Sequence, residues 1–273
     1  MRRAFFPSLQ WPSALWRHRE LIWKLSKREV EGRYRGSVLG WGWSLITPLL
    51  MLAVYTFVFS QVFQARWGDL EASGPWLFAI NLFAGLIVFN VFAETTNASP
   101  NIILSNANLA TKVIFPLEIL PAITVAAAIF HGATSLLVLG AFEILSQGQI
   151  PITIVWLPLV WTPLIYGCLA LSWTLSSLGV YLRDLGQIVG VVTNLMMFLS
   201  AVFYPLSALP ERWQPLLRLN PLVVVIEQSR RVSITGLPPS LYYLVGGSLI
   251  SLILCELAFR GFQRARRGFA DVL

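Results

Sequence analysis

The sequence predicts an all-α integral membrane protein with six transmembrane helices, an N-terminal amphipathic interfacial helix and a re-entrant outer hairpin before the last span. Three observations lead there. Only 12% of the 273 residues are charged, about half the share of an ordinary soluble domain. Asp, Glu, Lys and Arg are missing from Val38–Phe63, Trp76–Ala93, Ile119–Phe142, Ile144–Leu182, Leu185–Pro210 and Val232–Cys255. A spanning helix needs about 20 mostly apolar residues, because no water satisfies its backbone. Finally, most of the Lys and Arg fall on alternate loops, as the positive-inside bias requires.

In chain order, residues 1–36 mix Arg, Pro and Trp with apolar residues and carry no cleavable leader pattern. Arg17, Glu20, Lys24, Lys27, Arg28, Glu31 and Arg35 share one narrow face at helical spacing, with Trp16, Leu21, Ile22, Trp23, Leu25 and Val30 elsewhere. The first span follows. After the second span, Ser99-Pro100 reads as a cap and first-turn pair opening a short helix over Asn101–Leu109. The run Ile144–Leu182 counts as one span, since Gly148 and Pro151 place its first residues in a turn. Between the fifth and sixth spans, 211–233 holds an apolar stretch, Leu219–Ile226, too short to cross. One domain, 1–273, results: the interfacial segment 1–36, a six-span core 37–260 and a cytoplasmic tail 261–273.

With the N-terminus inside, Arg2, Arg3, Arg17, Arg19, Lys24, Lys27, Arg28, Arg33, Arg35, Lys112, Arg183, Arg260, Arg264, Arg266 and Arg267 are cytoplasmic. Arg66, Arg212, Arg218, Arg230 and Arg231 are left outside, the last four because 211–233 does not cross, with a seventh span as the structural alternative. Both termini are therefore expected in the cytoplasm, against anionic lipid head groups that match the net charge of +7.

The chemistry that is absent narrows the function. No GxxxxGK[ST] loop cradles a nucleotide. The aspartates Asp69, Asp184 and Asp271 are scattered, which argues against a membrane enzyme of polysaccharide assembly. Cys168 and Cys255 form neither a disulfide framework nor a metal motif. His131 alone is ionisable in mid-span, and a lone histidine there more often bonds a neighbouring helix than relays protons, which disfavours an ion-coupled carrier. Glu94, Glu118, Glu143 and Glu256 fall at span ends and read as solvated helix termini. A pathway without its own energy source implies a driving partner that docks on the loops. Trp41, Trp43, Trp67, Trp76, Trp156 and Trp213 read first as interfacial anchors. Tyr55, Phe59 and Phe63, four apart on the first span, with Phe198, Phe203 and Tyr204 on the fifth, are the candidate walls of a pathway.

Three stretches together resemble the type-2 ABC exporter permeases that move lipid-linked polysaccharides. They are Arg33–Trp43 leading into Pro48-Leu49, Leu104–Leu109 with Lys112–Pro116, and Tyr204–Pro210. The resemblance covers nearly the whole chain and is closest to the O-antigen branch, with capsule, teichoic acid and small-amphiphile exporters as alternatives on the same fold. It implies ATPase-coupling roles for Lys27, Arg28, Glu29 and Arg33, and for Ser99, Ile103, Leu104, Ser105, Asn106, Asn108 and Leu109 on a cytoplasmic coupling helix. It matches Arg183-Asp184 to a cytoplasmic turn or gate. It further implies a homodimer with two ATPase chains, ATP and Mg²⁺ bound by those partners and no cofactor here. The implied cargo is a polyprenyl-pyrophosphate-linked polymer, with membrane lipids but no nucleic acid as other contacts. A pyrophosphate at the inner leaflet would be drawn to Arg33, Tyr34 and Arg35.

Overall fold

The computed structural model describes residues 9–59, 67, 75–112 and 115–272, and among them there is no strand. The N-terminal segment forms two helices, α1 Gln10–Arg17 and α2 Arg19–Tyr34, broken at His18. Leu21, Ile22, Leu25, Ser26 and Val30 turn toward the bundle, while Arg17, Lys24, Lys27, Arg28 and Glu31 stay exposed. That is the expected polar face, although it spreads over two helices. Gly36 and Gly40, at φ of 84° and 46°, then turn the chain into α3, Trp43–Phe57. The far end of the first predicted span, with Phe63, lies outside the described residues.

Helix α4, Pro75–Ala98, is the centre of the molecule. Ile80, Leu82, Ile87 and Val88 are fully enclosed, and α3, α7, α9, α10 and α12 all pack on it. These partners are α7 Ile119–Gln147, α9 Thr162–Tyr181, α10 Leu185–Leu199 and α12 Pro221–Ser233. Helix α13, Leu241–Ala265, lies along α9. Trp173 is sealed in that seam, edge-on to Phe259 at 5.0 Å, with its Nε1 donating to the Glu118 carbonyl at 2.9 Å. Short helices complete the chain: α5 Ile102–Ser105, α6 Ala107–Lys112, α8 Leu157–Val160, α11 Gln214–Arg218 and α14 Phe269–Val272. Gly148, at φ 76°, ends α7 where the turn was expected.

Among the described residues, five helical stretches are long and apolar enough to cross a membrane: Gly40–Phe57, Trp76–Ser105, Ile119–Ser146, Ile152–Tyr181 and Leu241–Gly268. The predicted fifth span is different. Its helix, α10, stops after 15 residues, about 22 Å against a hydrocarbon core of about 30 Å. Beyond it, Ala201 takes a left-handed φ of 52°. The last span begins at Leu241 instead of Val232, because α12 ends at Ser233 and Pro238-Pro239 cannot continue a helix. Absence of charge marked apolar runs, but backbone breaks inside those runs carry no charge signal.

The segment after α4 also departs from expectation. Ser99 does not cap a new helix; its hydroxyl donates back to Thr95 O at 2.6 Å and lies within hydrogen-bond distance of Ser172 Oγ at 2.8 Å. The chain runs on through a tight turn into α5 and breaks at Asn106, whose Nδ2 donates to Ile102 O. Gly179 makes this possible, since a Cβ on α9 there would overlap the Pro100 carbonyl.

The four glutamates expected at solvated helix ends are all in the packing. Glu256 accepts from the first N–H groups of α1 at Gln10 and from Arg260. Glu118 pairs with Arg266 at 2.6 Å. Glu143 is 1% exposed, with neither carboxylate oxygen hydrogen-bonded among the described residues. Glu94 belongs to a cluster taken up below. A long side chain near a span end can turn inward as readily as outward, and only the neighbouring helices decide.

Candidate functional site

Helices α2, α3, α4 and α7 line an open cavity of about 2000 Å³ that also reaches α5 and α6. Along α4 its wall runs from Phe83 to Ala98, about 22 Å at 1.5 Å per residue. The polarity of that wall changes with depth. Where α2 ends and α5 begins it carries Arg28, Glu29, Arg33, Tyr34, Arg35, Asn101, Ser105 and Asn106. Toward the opposite end it is built from Met51, Tyr55, Phe83, Leu86 and Ile87. Thr47 and Pro48 line it from α3, where the proline removes one helical N–H.

At the polar end three ionisable side chains from three helices meet. Arg33 Nη2 lies 2.9 Å from Glu94 Oε1, and Arg33 Nη1 lies 2.9 Å from His131 Nδ1. The same Nδ1 is 2.9 and 3.1 Å from the two oxygens of Glu94. Arg33 is half exposed at 52%, whereas Glu94 and His131 are at 22% and 15%. The His131 carbonyl accepts from Thr134 and Ser135, so these hydroxyls serve the backbone and leave the ring to Glu94. His131 Nε2 is buried without a partner among the described residues. Tyr34 stands edge-on to the ring at 6.1 Å, and desolvation raises its phenol above the usual range, against the pull of Arg33. It is therefore a neutral hydroxyl at this wall.

The structure thus brings Arg28, Glu29, Arg33, Tyr34, Arg35, Ser105, Asn106, Leu109 and Tyr55 to one cavity. Lys27 is outside it, paired with Glu31 at 3.8 Å on the exposed face. Ser99 and Ile103 are buried and Leu104 is half-buried, so Asn101, Ser105 and Asn108 are what this stretch exposes. Arg183 and Asp184 are exposed in the turn between α9 and α10. The aromatic stripe divides: Phe59 stacks on Phe78 at 5.0 Å instead of lining the cavity. Phe198 and Phe203 face each other at 5.6 Å near the α10 break, where Tyr204 OH donates to the Phe198 carbonyl. None of these three lines the cavity.

Two features escaped the sequence. Glu94 and His131 are 37 residues apart, and nothing in spacing joins them except that both are ionisable near a span. Arg230, expected on an exposed outer flank, is 5% exposed. Its Nε donates to Asn81 O at 2.9 Å, and its Nη atoms donate to Ala201 O at 3.0 Å and Val202 O at 2.7 Å. Its guanidinium lies 4.4 Å over the Trp67 ring. The carbonyls that leave the α10 ladder are thus satisfied by a side chain where water is scarce.

A family model described as ABC-2 type transporter matches residues 20–233. The chain is 30% identical over 263 residues to the O-antigen export system permease protein RfbA of Myxococcus xanthus, covering 94% of this chain and 96% of that one. It is 24% identical over 259 residues to the protein of the same name from Klebsiella pneumoniae, covering 93% and 95%. Against the polysialic acid transport protein KpsM of Escherichia coli it is 24% identical over 249 residues, covering 87% and 92%.

Proposed function

The chain belongs to the ABC-2 type transporter family, and on that premise we propose that it is the permease of an ATP-driven exporter of polyprenyl-pyrophosphate-linked polysaccharide. The O-antigen class is the favoured cargo. The polarity gradient of the cavity carries this reading. At the polar end Arg28, Arg33 and Arg35, interleaved with Glu29, Glu31, Glu94 and asparagine amides, offer cations to a diphosphate and hydrogen bonds to its first sugars, and the apolar end suits a hydrocarbon tail. The names of the relatives support the polymer class, and the polysialic acid relative keeps capsule polymer as the second cargo on the same fold.

In this reading the chain sits in the inner membrane with both termini cytoplasmic. Helix α10 and the broken backbone after it make the sixth crossing, and α11 with α12 form the re-entrant pair. Two copies combine with two ABC ATPase chains, which bind ATP and Mg²⁺. Lys27, Arg28, Glu29 and the exposed residues of 101–109 face the ATPase, and Arg183-Asp184 forms the cytoplasmic turn beside them. Nucleotide-driven closure of the ATPases moves α2 and the 101–109 stretch, and so changes the cavity that both of them line.

The test is ATP hydrolysis in lipid vesicles by this chain alone and with ATPases encoded beside it, with and without polyprenyl-linked glycan. Hydrolysis only in the co-purified complex, changed by glycan and lost when 101–109 is replaced by a flexible linker, is the expected result. A chain that binds no ATPase and transports without ATP sinks the reading.

A further inference from the structure

The Arg33–Glu94–His131 cluster contains a conflict. His131 Nδ1 holds either a proton or a lone pair, yet it sits 2.9 Å from both a guanidinium nitrogen and a carboxylate oxygen. Protonated, it donates to Glu94 and has nothing to offer the Arg33 N–H. Unprotonated, it accepts from Arg33 and sets its lone pair against Glu94. A proton on Nδ1 serves Glu94, and Nε2, buried without a partner among the described residues, takes no part in the cluster. Glu94 is then served by two donors, and Arg33 by one acceptor that His131 can also hold without it.

We propose that Glu94 is a stand-in anion: it occupies Arg33 while the cavity lacks cargo, and a lipid diphosphate head displaces it, leaving the carboxylate on His131. This rests on the exporter reading and names the atoms by which that cavity takes its ligand. A diphosphate carries more charge than one carboxylate and offers several oxygens to a planar guanidinium, so it outcompetes Glu94 for Arg33. Arg33 is the most exposed member, on α2, while Glu94 and His131 are held between α4 and α7. The exchange therefore loosens the tie between α2 and the bundle when cargo arrives, and it restores that tie when cargo leaves.

The experiment measures retention of radiolabelled polyprenyl diphosphate by the purified full chain in phosphatidylcholine nanodiscs, with the unfolding midpoint of each variant checked beside it. Glu94→Gln should bind about tenfold more tightly, because Arg33 is freed. Arg33→Gln should bind at least tenfold more weakly, and Arg33→Lys should fall between it and wild type. The double variant should match Arg33→Gln, since releasing Arg33 gains nothing once it is gone. Inorganic pyrophosphate should compete weakly because it leaves the apolar wall at Met51, Tyr55 and Phe83 empty. Weaker binding by Glu94→Gln, or unchanged binding by all variants, overturns the exchange while leaving the exporter standing. Equal competition by phosphatidylglycerol overturns the diphosphate assignment. A wild-type chain that retains no polyprenyl diphosphate overturns both the exchange and the cargo reading beneath it.

Discussion

Arg33 and Arg230 sit near opposite ends of α4, and the chain holds them by opposite means. Arg33 meets a carboxylate and an imidazole on a cavity wall, with half of its side chain exposed. Among the described residues Arg230 forms no ion pair; three backbone carbonyls and a Trp67 ring surround it, and it is nearly sealed. A carboxylate partner can be replaced by another anion, since charge and geometry both transfer. Carbonyls belonging to a folded backbone cannot be exchanged without moving the backbone itself. The first arginine is thus suited to traffic and the second to fixing the break after α10.

The largest effect should follow from Arg230→Met. It leaves the Ala201 and Val202 carbonyls unpaired in an apolar setting, a loss of roughly 3–5 kcal/mol. Thermal unfolding in detergent should show a midpoint lower by about 10 °C. Gly85→Ala probes the same tie from α4. The new Cβ would stand 2.5 Å from an Arg230 nitrogen that Val202 O already pins at 2.7 Å. We expect about 1–3 kcal/mol, and near silence once Arg230 is Met, because the two sites share one contact.

Glu94→Gln should cost about 1 kcal/mol of stability, since the amide keeps an acceptor for its neighbours and the Arg33 partner is half exposed. Its consequence belongs to binding. An unfolding midpoint lowered as far as that of Arg230→Met would erase the contrast between the two arginines. Smallest is Lys27→Ala, where an exposed pair with Glu31 contributes at most about 0.5 kcal/mol. Stability should be unchanged there, and coupling to an ATPase is the readout that can respond.

Legibility varied from residue to residue. The face of Leu21, Ile22, Leu25 and Val30 was readable because helical period is local. The turn at Gly148 was readable for the same reason. Arg33, Tyr34 and Arg35 stood out as cations and an aromatic beside the first span, and all three line the cavity. Ser99 misled, because a Ser-Pro pair caps a helix only where the preceding helix has ended, and α4 runs straight up to it. Tyr55 and Phe59 misled as a pair: Tyr55 lines the cavity, whereas Phe59 stacks on Phe78. Glu94, Glu143 and Arg230 were assigned to water or head groups because sequence hydropathy sees their distance from a span end and not the helix beside them.

What the sequence by itself determined is therefore the local part: apolar runs that must be helical in hydrocarbon, because each backbone N–H finds its acceptor four residues away. It also determined which segments carry the cations. The tertiary structure decided which of those charges are enclosed, which partner each one takes, and where a helix breaks in mid-run. Those outcomes rest on contacts such as Arg33 with His131, 98 residues apart, and Arg230 with Asn81, 149 apart. Burial makes such contacts strong, and burial exists only after the helices have packed.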